Sequence, residues 1–152
     1  MCFDFLKKPV KTKDFDIDIE PESDVEAEWD DIINVITAKF PEVTQDQIFL
    51  SDKDYTLASY NDIAKFLAQD DTNRMGYHSN DRDCDDFSYR LMGQFSIPKW
   101  SDICLGILWT DKHAMNFVID EDSNFWFLEP QSDILSDTLD PRKGTEFVFF
   151  MV

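Results

Sequence analysis

Basic residues are scarce in this chain: 14 Lys and Arg stand against 32 Asp and Glu over 152 residues, a formal net charge of −18. Such a surface repels phosphate backbones and anionic membranes, so ordinary nucleic-acid binding is excluded from expectation. Paired cysteines are missing too. Cys2, Cys84 and Cys104 are odd in number and form no CxxC spacing, which argues against a disulfide framework or a zinc finger. No apolar run approaches the roughly 18 residues that a membrane helix requires, so no membrane span is expected. The first residues are too short and polar an apolar stretch for a secretory signal, so a cytoplasmic location is the expectation. No internal repeat, low-complexity tract or interdomain linker is visible.

What is present suits a folded domain. Apolar residues make up 43% and aromatics 14%, enough for a core at this length. The acids are unevenly placed: ten lie between Asp14 and Asp31 with no base among them. Residues 1–24 therefore read as an acidic N-terminal extension, suited to docking a protein partner, and 25–152 as one domain. A DNA-mimicking inhibitor is a competing reading of the charge, weakened because a mimic spreads its charge over a folded face.

Trp29, Ile32, Ile33 and Ile36 recur at helical steps and predict a helix over 25–40, stopped by Pro41. Residues 46–50 form a short strand or link. Ser59 is placed to cap a second helix over 60–69. A polar loop, 70–83, delivers the chain to a third helix over 84–95, with Asp83 as cap and Asp86 three residues on as a capping box. Strand patterns follow at 103–109, 114–120, 125–129 and 146–151, the middle two joined by the turn Asp120-Glu121-Asp122-Ser123-Asn124. Helices first and an antiparallel sheet after predict an α+β fold. Cys104 lies in an apolar run and reads as an inert core thiol; Trp100 and Trp109 read as packing residues.

The chemistry-bearing residues gather around Cys84. If Ile119 faces Phe125 across the hairpin, then Phe117 faces Phe127 and His113 faces Gln131; one step tighter, His113 faces Glu129. Either way His113 and Glu129 share a face, because side chains alternate with period two. That face also carries Met115, Phe117 and Phe127, and the helix bearing Cys84 is expected to pack on it. Asn116 points to the other face and receives no chemical role. A thiol at a helix start, an imidazole and a carboxylate make a nucleophilic site: helix N–H groups stabilise the thiolate, the imidazole takes its proton, and the carboxylate orients the ring. Asp81, Asp83, Asp85 and Asp86 crowd the thiol, and their charges oppose a thiolate unless a hard cation such as Ca²⁺ sits among them. The Asp81, Asp83, Asp85 spacing fails as an EF-hand loop, since Asp86 and Met92 stand where Gly and Glu are needed.

Three blocks, Cys84-Asp85-Asp86-Phe87, His113-Ala114-Met115-Asn116 and Phe127-Leu128-Glu129-Pro130-Gln131, resemble the C-terminal domain family of the Marasmius oreades agglutinin. The resemblance spans about residues 81–133. It implies a papain-like fold and a calcium-dependent cysteine protease acting on an amide bond of a peptide or protein substrate. It implies Cys84 as nucleophile, His113 as base and Glu129 as orienting acid, with Asp85, Asp86 and Gln131 as metal ligands. Small relatives occur in phages and bacteria, and a phage-encoded member would be virion-associated. The alternative expectation is a non-catalytic interaction or virion component that keeps the fold and a structural calcium site. The family's lectin domain has no counterpart in this sequence, so sugar binding is not carried over.

Overall fold

A computed structural model describes residues 17–152; what the sequence suggests for residues 1–16, Cys2 included, lies outside them. The elements are β1 (Val25–Glu28), α1 (Trp29–Lys39), β2 (Ile48–Phe49), β3 (Asp54–Leu57), α2 (Tyr60–Gln69), α3 (Cys84–Phe95), β4 (Leu105–Thr110), β5 (Ala114–Ile119), β6 (Phe125–Glu129), β7 (Ile134–Ser136) and β8 (Phe147–Met151). Among the described residues the larger sheet runs β2-β8-β4-β5-β6-β7, antiparallel except for the β2–β8 pair, and β1 pairs with β3 in a separate ribbon. The described residues form a mixed α/β domain with three α-helices and a mostly antiparallel sheet.

The helices begin where side chains can satisfy their free N–H groups. Ser59 Oγ accepts from Asp62 N at 3.0 Å at the start of α2, and Asp83 and Asp86 make a reciprocal capping box on α3. The helix expected over 25–40 starts later. Residues 25–28 are drawn into β1 by pairing with β3, and Glu28 then caps α1 through a capping box with Asp31. Trp29 is consequently half out in solvent, while Ile32 and Ile36 are fully buried. Strands β3 and β7 were not legible: each is short and owes its form to the partner it pairs with.

Two cores lie on opposite faces of the sheet. One joins α1 (Ile32, Ile36) to Met115, Phe117, Phe125, Phe127 and Phe150. The other joins α2 and α3 (Phe66, Leu91, Phe95) to Val118, Leu128 and Trp100. Phe66 stacks on Phe95 with centroids 3.8 Å apart. Each fully buried large apolar side chain contributes on the order of 1.5–3 kcal/mol. Trp100 belongs to this core, and its Nε1 donates to the Ile19 carbonyl at 2.9 Å. Residues 17–24 lie along α2: Glu22 N donates to the buried Asp62 carboxylate at 3.0 Å, and Lys65 pairs with Glu22 at 2.8 Å. Trp109 is half-buried and stacks on Phe149 at 4.3 Å.

This arrangement corrects one expectation about the site. The helix carrying Cys84 packs on the face opposite to Met115 and Phe117. Asn116, fully buried on the α3 side, ties the two together by donating from Nδ2 to the Ser88 and Gly106 carbonyls, each at 3.2 Å.

Candidate functional site

Cys84 is the first residue of α3 and half-buried. His113 and Ala114 stand at the β4–β5 turn, where β5 begins. Because α3 lies on one face and His113 shares the other with Met115, thiol and imidazole belong to opposite faces, and what links them is the first residue of β5 at the sheet end. The contact there is an N–H donated by Ala114 to Cys84 Sγ at 3.5 Å, one residue along the chain from the imidazole. Ser88 Oγ holds the helix start by donating to the Cys84 carbonyl at 2.9 Å.

His113 and Glu129 meet as their shared face requires. The register pairs Ile119 with Phe125 and Phe117 with Phe127, the wider of the two alignments considered, so they are diagonal neighbours. His113 Nε2 lies 2.9 Å from Glu129 Oε2, and their side chains are only 15% and 11% exposed. Burial by itself would raise the Glu129 pKa. Hydrogen bonds from His113 and Lys143, and their charges, outweigh it and hold the carboxyl below its ordinary value.

Lys143 was not foreseen. Its ammonium bonds the same Glu129 oxygen as His113 does. The residue ends a short 3₁₀ turn, Pro141–Lys143, capped by Asp140. Thr110 links this turn to the imidazole: its Oγ1 donates to the Lys143 carbonyl at 2.5 Å and accepts from His113 N at 3.0 Å. Nothing local in Pro141-Arg142-Lys143-Gly144 marks this role, because the chain returns to the site only through the β7–β8 connection.

The expected metal ligands fare differently. Asp83, Cys84 and Asp85 bring their donor atoms within 4.8 Å of one another. The Asp83 carboxyl, hydrogen-bonded to Asp85, raises the Asp85 pKa, with burial adding to it. Asp86 is occupied as a cap, accepting from Asp83 N at 3.3 Å, and Gln131 N donates to Glu129 Oε1 at 3.5 Å. Two carboxylates and a sulfur are fewer donors than the six to eight oxygens that Ca²⁺ takes, the remainder of which come from carbonyls and water in such sites. Cys104, the other described thiol, is fully buried and its pKa is pushed up to about 12, which makes it inert at neutral pH.

No protein-family model and no curated protein matches the chain. Solved structures share its fold. A complex of PSL1a with E64 matches with a TM-score of 0.70 and 20% identity, over 84% of this chain and 50% of that one. Polyporus squamosus lectin, bound to the human-type influenza-binding epitope Neu5Acα2-6Galβ1-4GlcNAc, matches with a TM-score of 0.68 and 21% identity, over 84% and 49%. The chain thus spans about half the length of these neighbours. The resemblance seen in the sequence holds to this extent: the fold is shared with Polyporus squamosus lectin. The expectation of a calcium-dependent cysteine peptidase, a hydrolase with a peptide substrate, is corrected. The fold relatives are lectins, and the ligand named for one is a glycan. The alternative, a virion-associated component with a structural calcium site, finds no support either. Among the described residues no helix is long and apolar enough to cross a membrane.

Proposed function

We propose that Cys84, His113 and Glu129 form a reactive-thiol site that bonds covalently to an electrophilic carbon in a bound ligand. The observation that supports it is the half-buried His113–Glu129 pair at 2.9 Å, with the N–H of the residue after His113 donated to a thiol at a helix start. Glu129, held ionised, accepts the Nε2–H, which leaves Nδ1 as the basic nitrogen. That nitrogen takes the thiol proton while Sγ forms its bond to carbon and the leaving group departs with the electron pair. The papain-like packing implied by the resemblance, a thiol-bearing helix against an imidazole-bearing sheet, belongs to this proposal. The test is alkylation of Cys84 by iodoacetamide at neutral pH, followed by peptide mapping with Cys84→Ala as blank. His113→Ala is expected to slow labelling of Cys84 about a hundredfold. E64, the compound in the PSL1a complex, serves as a second probe, with a mass shift expected on Cys84. Equal rates with and without the imidazole would sink the proposal.

A second reading, glycan recognition, is favoured by a separate feature. An open groove of ≈ 840 Å³ between α1 and the β5–β6 turn is lined by Asn34, Lys39, Ser123, Asn124, Trp126 and Asp137. Amides, a hydroxyl, one cation and one carboxylate suit a hydroxyl-rich ligand. Trp126, at the rim of the groove, is fixed by its Nε1 donating to Asp120 Oδ2 at 2.7 Å and by Tyr60 packed edge-on at 4.9 Å. Titration with Neu5Acα2-6Galβ1-4GlcNAc is expected to shift the Trp126 indole resonance, and Trp126→Ala to weaken binding about tenfold or more. No shift at millimolar glycan would remove this reading.

A further inference from the structure

We propose that Lys143 is a positioning residue for the thiol site, fixing the Glu129 carboxylate and through it the tautomer of His113. The inference rests on the reactive-thiol proposal. Its basis is geometric. Glu129 Oε2 receives two donors, the His113 ring and the Lys143 ammonium, in a setting where the carboxylate side chain is only 11% exposed. The Lys143 ammonium makes a charge-assisted bond to Oε2 and so fixes that oxygen against the His113 ring. An acceptor held at Nε2 selects the Nε2–H tautomer.

The backbone makes this pairing rigid. Thr110 Oγ1 bonds both the Lys143 carbonyl, at 2.5 Å, and the His113 N–H, at 3.0 Å. Gly144, which follows Lys143, adopts φ 116°, and a Cβ there would stand 2.6 Å from Asp111 Oδ1. The chain can then run this close to the Thr110-Asp111 turn only with glycine at that place. Asp111 Oδ1 in turn accepts from Thr145 N at 2.9 Å, closing the loop over the β4–β5 turn. Lys143 and His113 are thus anchored to one hydroxyl and meet at one carboxylate oxygen. An ion pair made only for stability would not need both partners fixed to the same turn.

The experiment compares wild type, Lys143→Met and Lys143→Arg by two readouts. One is the ¹⁵N spectrum of the His113 ring, resolved easily because His78 is the only other histidine. The second is the rate of Cys84 alkylation by iodoacetamide. Wild type is expected to show the Nε2–H tautomer, Lys143→Met a mixture of tautomers with alkylation slowed about tenfold, and Lys143→Arg recovery of both. Should Lys143→Met not fold, Lys143→Gln, which keeps an N–H donor without the charge, is expected to show the same two losses. An unchanged tautomer in the Met or Gln variant overturns the inference, whatever the rate does. Failure of the reactive-thiol proposal itself is distinguished by the His113→Ala control: there, wild-type alkylation does not depend on the imidazole at all.

Discussion

Gly106→Ala is expected to destabilise the domain by more than about 3 kcal/mol, or to prevent folding. Gly106 lies in β4, between β5 and β8 in the sheet, with Phe117 opposite it on β5. A Cβ there would collide with the Met151 carbonyl oxygen and stand 2.6 Å from Cε1 of Phe117. Neither obstacle yields cheaply. The carbonyl is part of the β8 backbone, and Phe117 is fully buried, stacked on Phe125 with centroids 5.0 Å apart. The same strand segment holds α3 in place, since the Gly106 carbonyl accepts from Asn116. Chemical denaturation of the variant checks the magnitude. A double variant with Phe117→Leu is expected to recover only part of the loss, because removing the ring leaves the Met151 collision untouched. A Gly106→Ala protein with wild-type stability would mean that β8 does not pack against β4 as closely as described.

Asp133→Asn is expected to do the opposite and stabilise the protein at neutral pH. Burial pushes the Asp133 carboxyl up to about 6, with the charge of Asp70 adding to it. Asp133 Oδ1 is buried and has no hydrogen-bond partner among the described residues, and Oδ2 accepts from Asn73 Nδ2. The sign follows from linkage. Below pH 3.8 the carboxyl is neutral in folded and unfolded chains alike and costs nothing. Between 3.8 and about 6 the unfolded chain ionises while the folded one does not, so stability falls with rising pH and then levels off. Taken at face value the shift is worth about 3 kcal/mol; discounted for a half-exposed residue, about 1–2 kcal/mol remains. Asparagine abolishes this cost while retaining an oxygen for Asn73. It also tolerates the left-handed backbone here, φ 56°. The expected outcome at pH 7 is a rise in Tm of about 2–8 °C, with none at pH 3.5. A gain independent of pH would show that shape, not charge, is relieved.

Asp133 and Lys143 illustrate why some partners escaped the sequence. Asp133 pairs with residues sixty positions upstream, as its Asn73 bond shows. Lys143 reaches Glu129 only after β7 and a 3₁₀ turn have brought the chain back. Such partners are set by where a loop returns, and residue spacing carries no record of it. The His113–Glu129 pair was legible because only a hairpin separates the two, and strand alternation puts positions of equal parity on one face whichever register forms.

The same distinction holds for the fold. The sequence by itself determined the local starts and stops: Ser59 and the Asp83–Asp86 box at helix N-termini, the Asp120–Asn124 turn, and the shared face of His113 and Glu129. Each depends on contacts within a few residues, where backbone geometry leaves few choices. Tertiary structure alone decided on which face α3 packs. All six residues of β5 are buried and five are apolar, with Asn116 the exception, so hydrophobic pattern alone lets the stripe on α3 fit either face. The choice fell to distant partners: α1 covers one face, α2 and α3 the other. It also decided that the thiol takes the Ala114 N–H at the end of the sheet, and that Lys143 reaches Glu129 through a distant loop.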